Sequence, residues 1–239
     1  MTSDYYDSAP RRRIGILVDF GGVLTTDVFA ALRIFGTSIG VEPNLPLRLL
    51  VTDPKVSLVL TEFEAGRCTD AHFERVLARA LATHGGTIEA RGLLRKVRSV
   101  IAPDPEMIEL IAGLKAAGHP IALVANSFGR NCFESVDLDD LVDVRVVSAE
   151  VGLRKPSRAI FTLACRRLDV EPANAVMIDD LSHNIIGARR AGVEGILHHD
   201  ARTTAEVLAV QFGIFPVLPP SPAVTNTHWR RRGSSAWLR

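Results

Sequence analysis

The sequence has little cysteine, almost no net charge and no long apolar run. Its three thiols, Cys68, Cys132 and Cys165, are widely spaced, and no CxxC pair occurs in 239 residues. That excludes a zinc knuckle and a disulfide framework, and it fits a reducing, cytoplasmic compartment. The formal net charge is +1, so no global field favours nucleic acid. Positive charge gathers only at the flanks, in Arg11, Arg12 and Arg13 and in Arg230, Arg231, Arg232 and Arg239. No apolar stretch approaches the ~20 residues of a membrane span. The opening residues, MTSDYYDSAPRRR, carry no apolar leader. The chain is therefore expected to bind neither membrane nor nucleic acid, and nothing in it fixes an oligomeric state.

What is present is 47% hydrophobic residues, enough for one sizeable core with an accessory unit. Four short apolar runs have strand character: IGILV (14–18), IALVA (121–125), VRVVSA (144–149) and AVMI (175–178). GVEGILH (192–198) is a weaker fifth. Such runs, bounded by turn residues and separated by helical patterns, predict an α/β fold with a three-layer, Rossmann-like parallel sheet core. Helices are expected at 105–117, where Asp104 can cap and Pro105 can open the first turn, at 157–168, and at 183–191 ahead of Gly192.

Residues 25–103 read differently. DAHFERVLARALAT (70–83) sets Phe73, Val76, Leu77, Ala80 and Leu81 on one helical face. VSLVL (56–60) fits a strand or a helix. A stretch this long cannot be a plain loop, so a mainly α-helical cap is expected over a core made of 14–24 and 104–215. The remaining segments, 1–13 and the Pro- and Arg-rich 216–239, are expected to be disordered.

In open α/β sheets, ligands bind beyond the carboxyl ends of the strands. The first strand ends at Asp19 and the second at Ala125-Asn126-Ser127. Beyond the third lies Gly152-Leu153-Arg154-Lys155-Pro156. The fourth ends at Asp179-Asp180, with Asn184 a helical turn later. Three acids, a lysine and small polar groups should therefore meet on one rim.

This order of residues resembles the haloacid dehalogenase-like hydrolase superfamily over roughly residues 14–200. The motifs that carry the likeness are VDFGGVL at 18–24, GLRKP at 152–156 and MIDDLSHNIIGARRAG at 177–192. TEFEAGRCTDAHF resembles the helical cap of subgroup I, and VDFGGVL looks most like the phosphatase domain of soluble epoxide hydrolases. The resemblance implies a phosphatase or phosphotransferase for a small phosphorylated metabolite. Asp19 can attack phosphorus and form an acyl phosphate, while Lys155 supplies positive charge. Mg²⁺ prefers carboxylate and carbonyl oxygens. Asp19, Asp179 and Asp180 can furnish these, and the resemblance adds the backbone carbonyl of Gly21. Substrate contacts are expected from Asn126, Ser127, Gly22 and Arg154, and an orienting role from Asn184. Arg130 reads evenly as a substrate contact or a surface residue, His183 as a solvated or structural histidine, His198 and His199 as strand-end polar residues more than metal ligands, and Cys132, without a His partner, not as a nucleophile.

Two positions depart from the family pattern. Phosphatases of this superfamily commonly carry an aspartate where Gly21 stands, as general acid and base, which is typically worth ~10²–10⁴-fold. They carry Ser or Thr where Ala125 stands. The alternatives are a decayed site kept for binding, a 2-haloacid dehalogenase, which would need no metal, and phosphonate C–P cleavage, which would need a cap lysine such as Lys55 or Lys96.

Overall fold

The computed structural model describes residues 14–217. The segment 1–13 and residues 218–239 of the expected tail lie outside the described residues. The chain begins with strand β1 (Gly15–Val18) and then runs through five helices: α1 (Val28–Ser38), α2 (Leu45–Thr52), α3 (Pro54–Glu64), α4 (Asp70–Ala82) and α5 (Leu93–Arg98). Helix α6 (Pro105–Ala116), β2 (Ile121–Ala125), β3 (Val144–Val147), the short α7 (Ser148–Val151) and α8 (Arg158–Leu168) follow. The last elements are β4 (Ala175–Asp179), α9 (Ser182–Arg190), β5 (Glu194–Leu197) and α10 (Ala201–Phe212).

The five strands form one parallel sheet in the order β3-β2-β1-β4-β5. Strands β1, β2 and β4 are buried along their whole length, as the unbroken apolar runs require of a sheet covered on both faces. Alternation within each strand divides the core. Ile16, Val18, Ile121, Leu123 and Ile178 pack with Met107, Leu110 and Ile111 of α6 and Leu208 of α10. Leu17, Ala122, Val124 and Met177 face the other way, against Ile160, Phe161 and Ala164 of α8 and Ile185 of α9. The strand order reverses between β1 and β4, and a crevice opens beyond their carboxyl ends, the favoured ligand position in such sheets.

The helical insert has its own core, in which Leu32, Phe35, Leu49, Phe73, Leu77, Leu81 and Leu94 are buried. VSLVL lies in α3. The Asp53 side chain accepts hydrogen bonds from Lys55 N (2.9 Å) and Val56 N (3.0 Å), and Pro54 fills the first turn. This N-cap decides for helix where the apolar run alone leaves both open. The insert leaves and re-enters the core at one place. Thr25 bridges Pro103, Thr26 N donates to Ala102 O (2.8 Å), and Asp104 N donates to Leu24 O (2.9 Å).

Boundaries shift where partners end. The run 144–149 is strand only to Val147, because Val147 pairs with Ala125, the last residue of β2; Ser148 then begins α7. At the other end, Val217 N donates to Gly113 O (3.0 Å), so the two described residues of the expected tail lie against α6.

Helix α9 comes so close to the segment after Lys155 that a Cβ on Gly187 would stand 2.5 Å from Pro156 O and 2.7 Å from Pro156 Cβ. Gly187→Ala is expected to lose about 1–3 kcal/mol, since one contact is backbone that cannot swing aside. Chemical denaturation against the wild type measures it.

Candidate active site

Lys155 organises the crevice. Its side chain is 1% exposed, and its Nζ lies 2.7 Å from Asp19 Oδ1 and 2.7 Å from Asp179 Oδ2. One ammonium thus ties the carboxyl end of β1 to that of β4. The Lys155 backbone is clamped by Asn126, whose Oδ1 accepts from Lys155 N (2.8 Å) and whose Nδ2 donates to Lys155 O (3.2 Å). Asn126 lines the crevice, but its amide is engaged on the lysine backbone.

Asp179 is held on all sides. Besides Lys155, its Oδ1 accepts from Leu181 N (2.9 Å) and Asn184 Nδ2 (2.9 Å), and its Oδ2 accepts from Asn184 Nδ2 (3.1 Å). Asn184 thus bonds to both oxygens of Asp179. Asp19 is less encumbered: Oδ1 accepts from Phe20 N (2.7 Å) as well as facing Lys155, which leaves Oδ2 as its other acceptor.

Asp180 completes the group. Oxygens of Asp19, Asp179 and Asp180 lie within 4.8 Å of one another, and Asp180 Oδ1 is buried without a hydrogen-bond partner. Three clustered carboxylates with one shared ammonium carry excess negative charge in a water-poor place. An orphaned buried carboxylate oxygen costs free energy unless something pairs it. The donor set is all oxygen, and it fits a hard divalent cation such as Mg²⁺. Gly22 makes room for the Asp180 carboxylate. Its φ is +76°, and a Cβ there would stand 2.3 Å from Asp180 Oδ2. Gly22 is a space for Asp180 as well as a turn.

Electrostatics agree. The Asp19 carboxyl is pushed up to about 7, chiefly by burial; the Lys155 ammonium opposes this, and Asp179 and Asp180 add to it. Asp180 is raised to about 6 by burial and by the neighbouring Asp179. Burial works against the Lys155 ammonium, yet the paired carboxylates outweigh it and hold its pKa above the ordinary lysine value.

The crevice opens into a cavity of about 800 Å³ lined from below by Asp19, Lys155, Asp180 and Asn126 and from above by the insert. Three contacts fasten the insert around it. Glu64, at the end of α3, receives Arg154 through Nε (2.8 Å) and a terminal nitrogen (2.6 Å); burial raises the Glu64 pKa, with Arg154 opposing. Phe63 stacks on Phe73 at 4.4 Å between centroids, and Phe128 from the core meets both edge-on. Arg98 of α5 donates to Arg130 O (2.8 Å). Arg154 therefore faces the insert's Glu64. Ser127 lines the cavity too; its N–H donates to Ser148 Oγ (2.8 Å) and its Oγ donates to Gly129 O (3.3 Å).

The structure brings Asp19, Gly21, Gly22, Asn126, Ser127, Arg154, Lys155, Asp179, Asp180 and Asn184 to one rim. Sequence reasoning missed Glu64, Phe128 and Ser148. Glu64 and Arg154 lie 90 residues apart, and no local pattern pairs them. Lys55 and Lys96 do not line the cavity. His198 is buried, with Nδ1 2.8 Å from Thr204 Oγ1, and burial lowers its pKa.

Comparison with known proteins identifies the family. The family described as haloacid dehalogenase-like hydrolase matches residues 15–192. A glyceraldehyde 3-phosphate phosphatase of Methanothermobacter thermautotrophicus is 27% identical over 191 residues, 76% of this chain and 83% of that protein. A sesquiterpene phosphatase of Aspergillus oryzae is 24% identical over 196 residues, 79% of this chain and 91% of that protein. Among solved structures, an enzyme of the same family from Bacteroides thetaiotaomicron, in complex with magnesium and inorganic phosphate, superposes with a TM-score of 0.57 at 17% identity. It covers 78% of this chain and 94% of its own, and at that identity it shows the shared fold alone.

Lys155→Met is expected to destabilise the protein by about 3 kcal/mol, because it leaves Asp19 and Asp179 buried without their common counter-charge. Denaturant melts measure the loss. A variant as stable as the wild type would contradict the central place given to this ammonium.

Proposed function

We propose that this chain, which belongs to the haloacid dehalogenase-like hydrolase family, is a Mg²⁺-dependent phosphatase or phosphotransferase that works through an aspartyl-phosphate on Asp19. The observation that carries this reading is the meeting of three carboxylates around one buried ammonium at the carboxyl ends of β1 and β4. A metal-free dehalogenase would have no use for the third acid, and C–P cleavage through an imine would need a lysine in the cavity wall that neither Lys55 nor Lys96 provides.

In this reading Asp19 Oδ2 attacks phosphorus and the ester P–O bond breaks, leaving the phosphoryl group on Asp19 while the alcohol departs as an alkoxide that takes its proton from water. Water then attacks that phosphorus, releasing phosphate and restoring the carboxylate. Lys155 offsets the charge of Asp19 and of the incoming phosphate. We assign Asp19, Asp180 and the Gly21 carbonyl to the metal. Asp179, whose oxygens already face Lys155, Leu181 N and Asn184, holds Lys155 in place. Bound Mg²⁺ would supply positive charge to the phosphoryl oxygens, where phosphoryl transfer most needs it. The insert acts as the cap, fastened by Glu64–Arg154 and the phenylalanine cluster. The two curated relatives are named for substrates of opposite polarity, so their names support phosphate-ester chemistry and leave the organic part open.

Asp19→Asn is expected to abolish Mg²⁺-dependent phosphate release from p-nitrophenyl phosphate. A folded variant that retains the wild-type rate would refute the aspartyl-phosphate route. The missing acid is a separate matter. A Cβ on Gly21 would stand 2.8 Å from Val28 Cγ2, so Val28 fills the space an aspartate would need. The double variant Gly21→Asp/Val28→Ala is expected to hydrolyse an unactivated alkyl phosphate at least about tenfold faster than the wild type, within the range general acid–base help supplies. Gly21→Asp alone should gain less. Steady-state phosphate release compares the three.

A further inference from the structure

We infer that the substrate is a phosphate monoester of a large hydrophobic alcohol, not of a polyhydroxylated one. The inference rests on the phosphate-ester reading above and names the organic part that it leaves open. The cavity over Asp19 holds about 800 Å³, room for a ligand far larger than a triose or hexose phosphate. Its floor is charged. Its walls are built largely by the insert's apolar side chains, among them Phe29, Leu47, Leu50, Val51 and Leu60, and Val28 brings that wall down to Gly21. Val51 is 68% exposed, which sets an apolar side chain at the mouth.

Several polar side chains in the wall are already committed to the protein. Thr61 Oγ1 donates to Ser57 O (3.0 Å), Ser99 Oγ donates to Lys96 O (2.8 Å), Glu64 is paired with Arg154, and Arg98 serves Arg130 O. Arg95 adds one charge on the α5 side, and Asn131, Glu134, Ser135 and His183 line the side away from the insert. Against the insert's wall a row of sugar hydroxyls would leave water for hydrocarbon, and each unanswered one costs affinity. A hydrocarbon loses nothing there and gains with every methylene buried. The layout is that of an amphiphile: an anionic head on Lys155 and the carboxylate-held cation, and an apolar body under the cap.

The test has two arms, both with Mg²⁺. The first measures kcat/KM for ethyl, butyl and octyl phosphate and for glucose 6-phosphate. The second measures binding of methyl-, butyl- and octylphosphonate, which cannot be hydrolysed, by the shift in melting temperature. Expected are a kcat/KM at least about tenfold higher for octyl than for ethyl phosphate, glucose 6-phosphate no better than ethyl phosphate, and a thermal shift that grows with phosphonate chain length. Leu60→Gln, at a partly exposed wall position, should remove most of the chain-length gain in both arms. Phosphonate binding that lengthens with the chain while no ester is hydrolysed would uphold the hydrophobic ligand and overturn the phosphatase reading. Hydrolysis and binding that are both indifferent to chain length, or a preference for glucose 6-phosphate, would overturn the inference and leave the phosphatase reading standing.

Discussion

One buried ammonium holds the molecule's two halves of sheet to a common purpose. Lys155 faces Asp19, the residue after β1, and Asp179 at the end of β4 at equal distance, across the point where the strand order reverses. Neither carboxylate can be buried without it, and it cannot be buried without them. Much of the surrounding structure follows from keeping that lysine in place. Asn126 fixes its backbone from the end of β2, Asn184 fixes Asp179 from the first turns of α9, and the bare Cα of Gly187 lets α9 press against Pro156. Elements far apart in sequence are thereby fixed to within a hydrogen bond. Such precision matters for charge stabilisation, because preorganised groups do not have to rearrange as the reaction proceeds.

The same ammonium leaves a deficit. It balances one carboxylate of three, and Asp180 retains a buried oxygen with no partner. The raised pKa values of Asp19 and Asp180 express that deficit: with burial dominant and like charges adjacent, these carboxyls hold their protons to about 7 and about 6. A divalent cation resolves it with one binding event, and Gly22 keeps clear the space in which Asp180 stands. The metal reading thus rests on unbalanced charge as well as on motif.

The sheet and the rim were legible because their signals are local. Apolar runs that end in a carboxylate, an Asn-Ser or an Asp-Asp need no long-range knowledge to be read as strands with functional tips. A capped helix start such as Asp53-Pro54 outweighs the ambiguous run that follows it, and here the sequence held the deciding signal in the cap. What was not legible depends on pairing at a distance. Nothing near Arg154 announces Glu64, so the ion pair that sets this cavity-lining arginine against the insert was not readable from the sequence. Nothing near Asn126 or Ser127 announces that their polar atoms are spent on Lys155, Ser148 and Gly129. Nor does periodicity distinguish the apolar face of the insert that fills its own core from the one that faces Asp19. The walls could be assigned only once the five helices were in place.

Gly21 and the apolar walls make more sense together than apart. A site that lacks an acid at Gly21 must let its leaving oxygen find a proton elsewhere, and Val28 closes the space in which one could have been stored. The same methyl groups make the region next to the scissile bond inhospitable to polar ligands. The missing acid and the apolar wall thus meet at one place, Gly21 against Val28. For a hydrophobic ester, binding energy from the body of the ligand, remote from phosphorus, is available to hold the phosphate against Lys155 and Asp19. A small polar ester has no such anchorage, and in this site it would lack both the anchor and the acid. On the proposed reading, turnover is fastest for a ligand long enough to fill the space under the insert, with the rate depending on how well its apolar part is held.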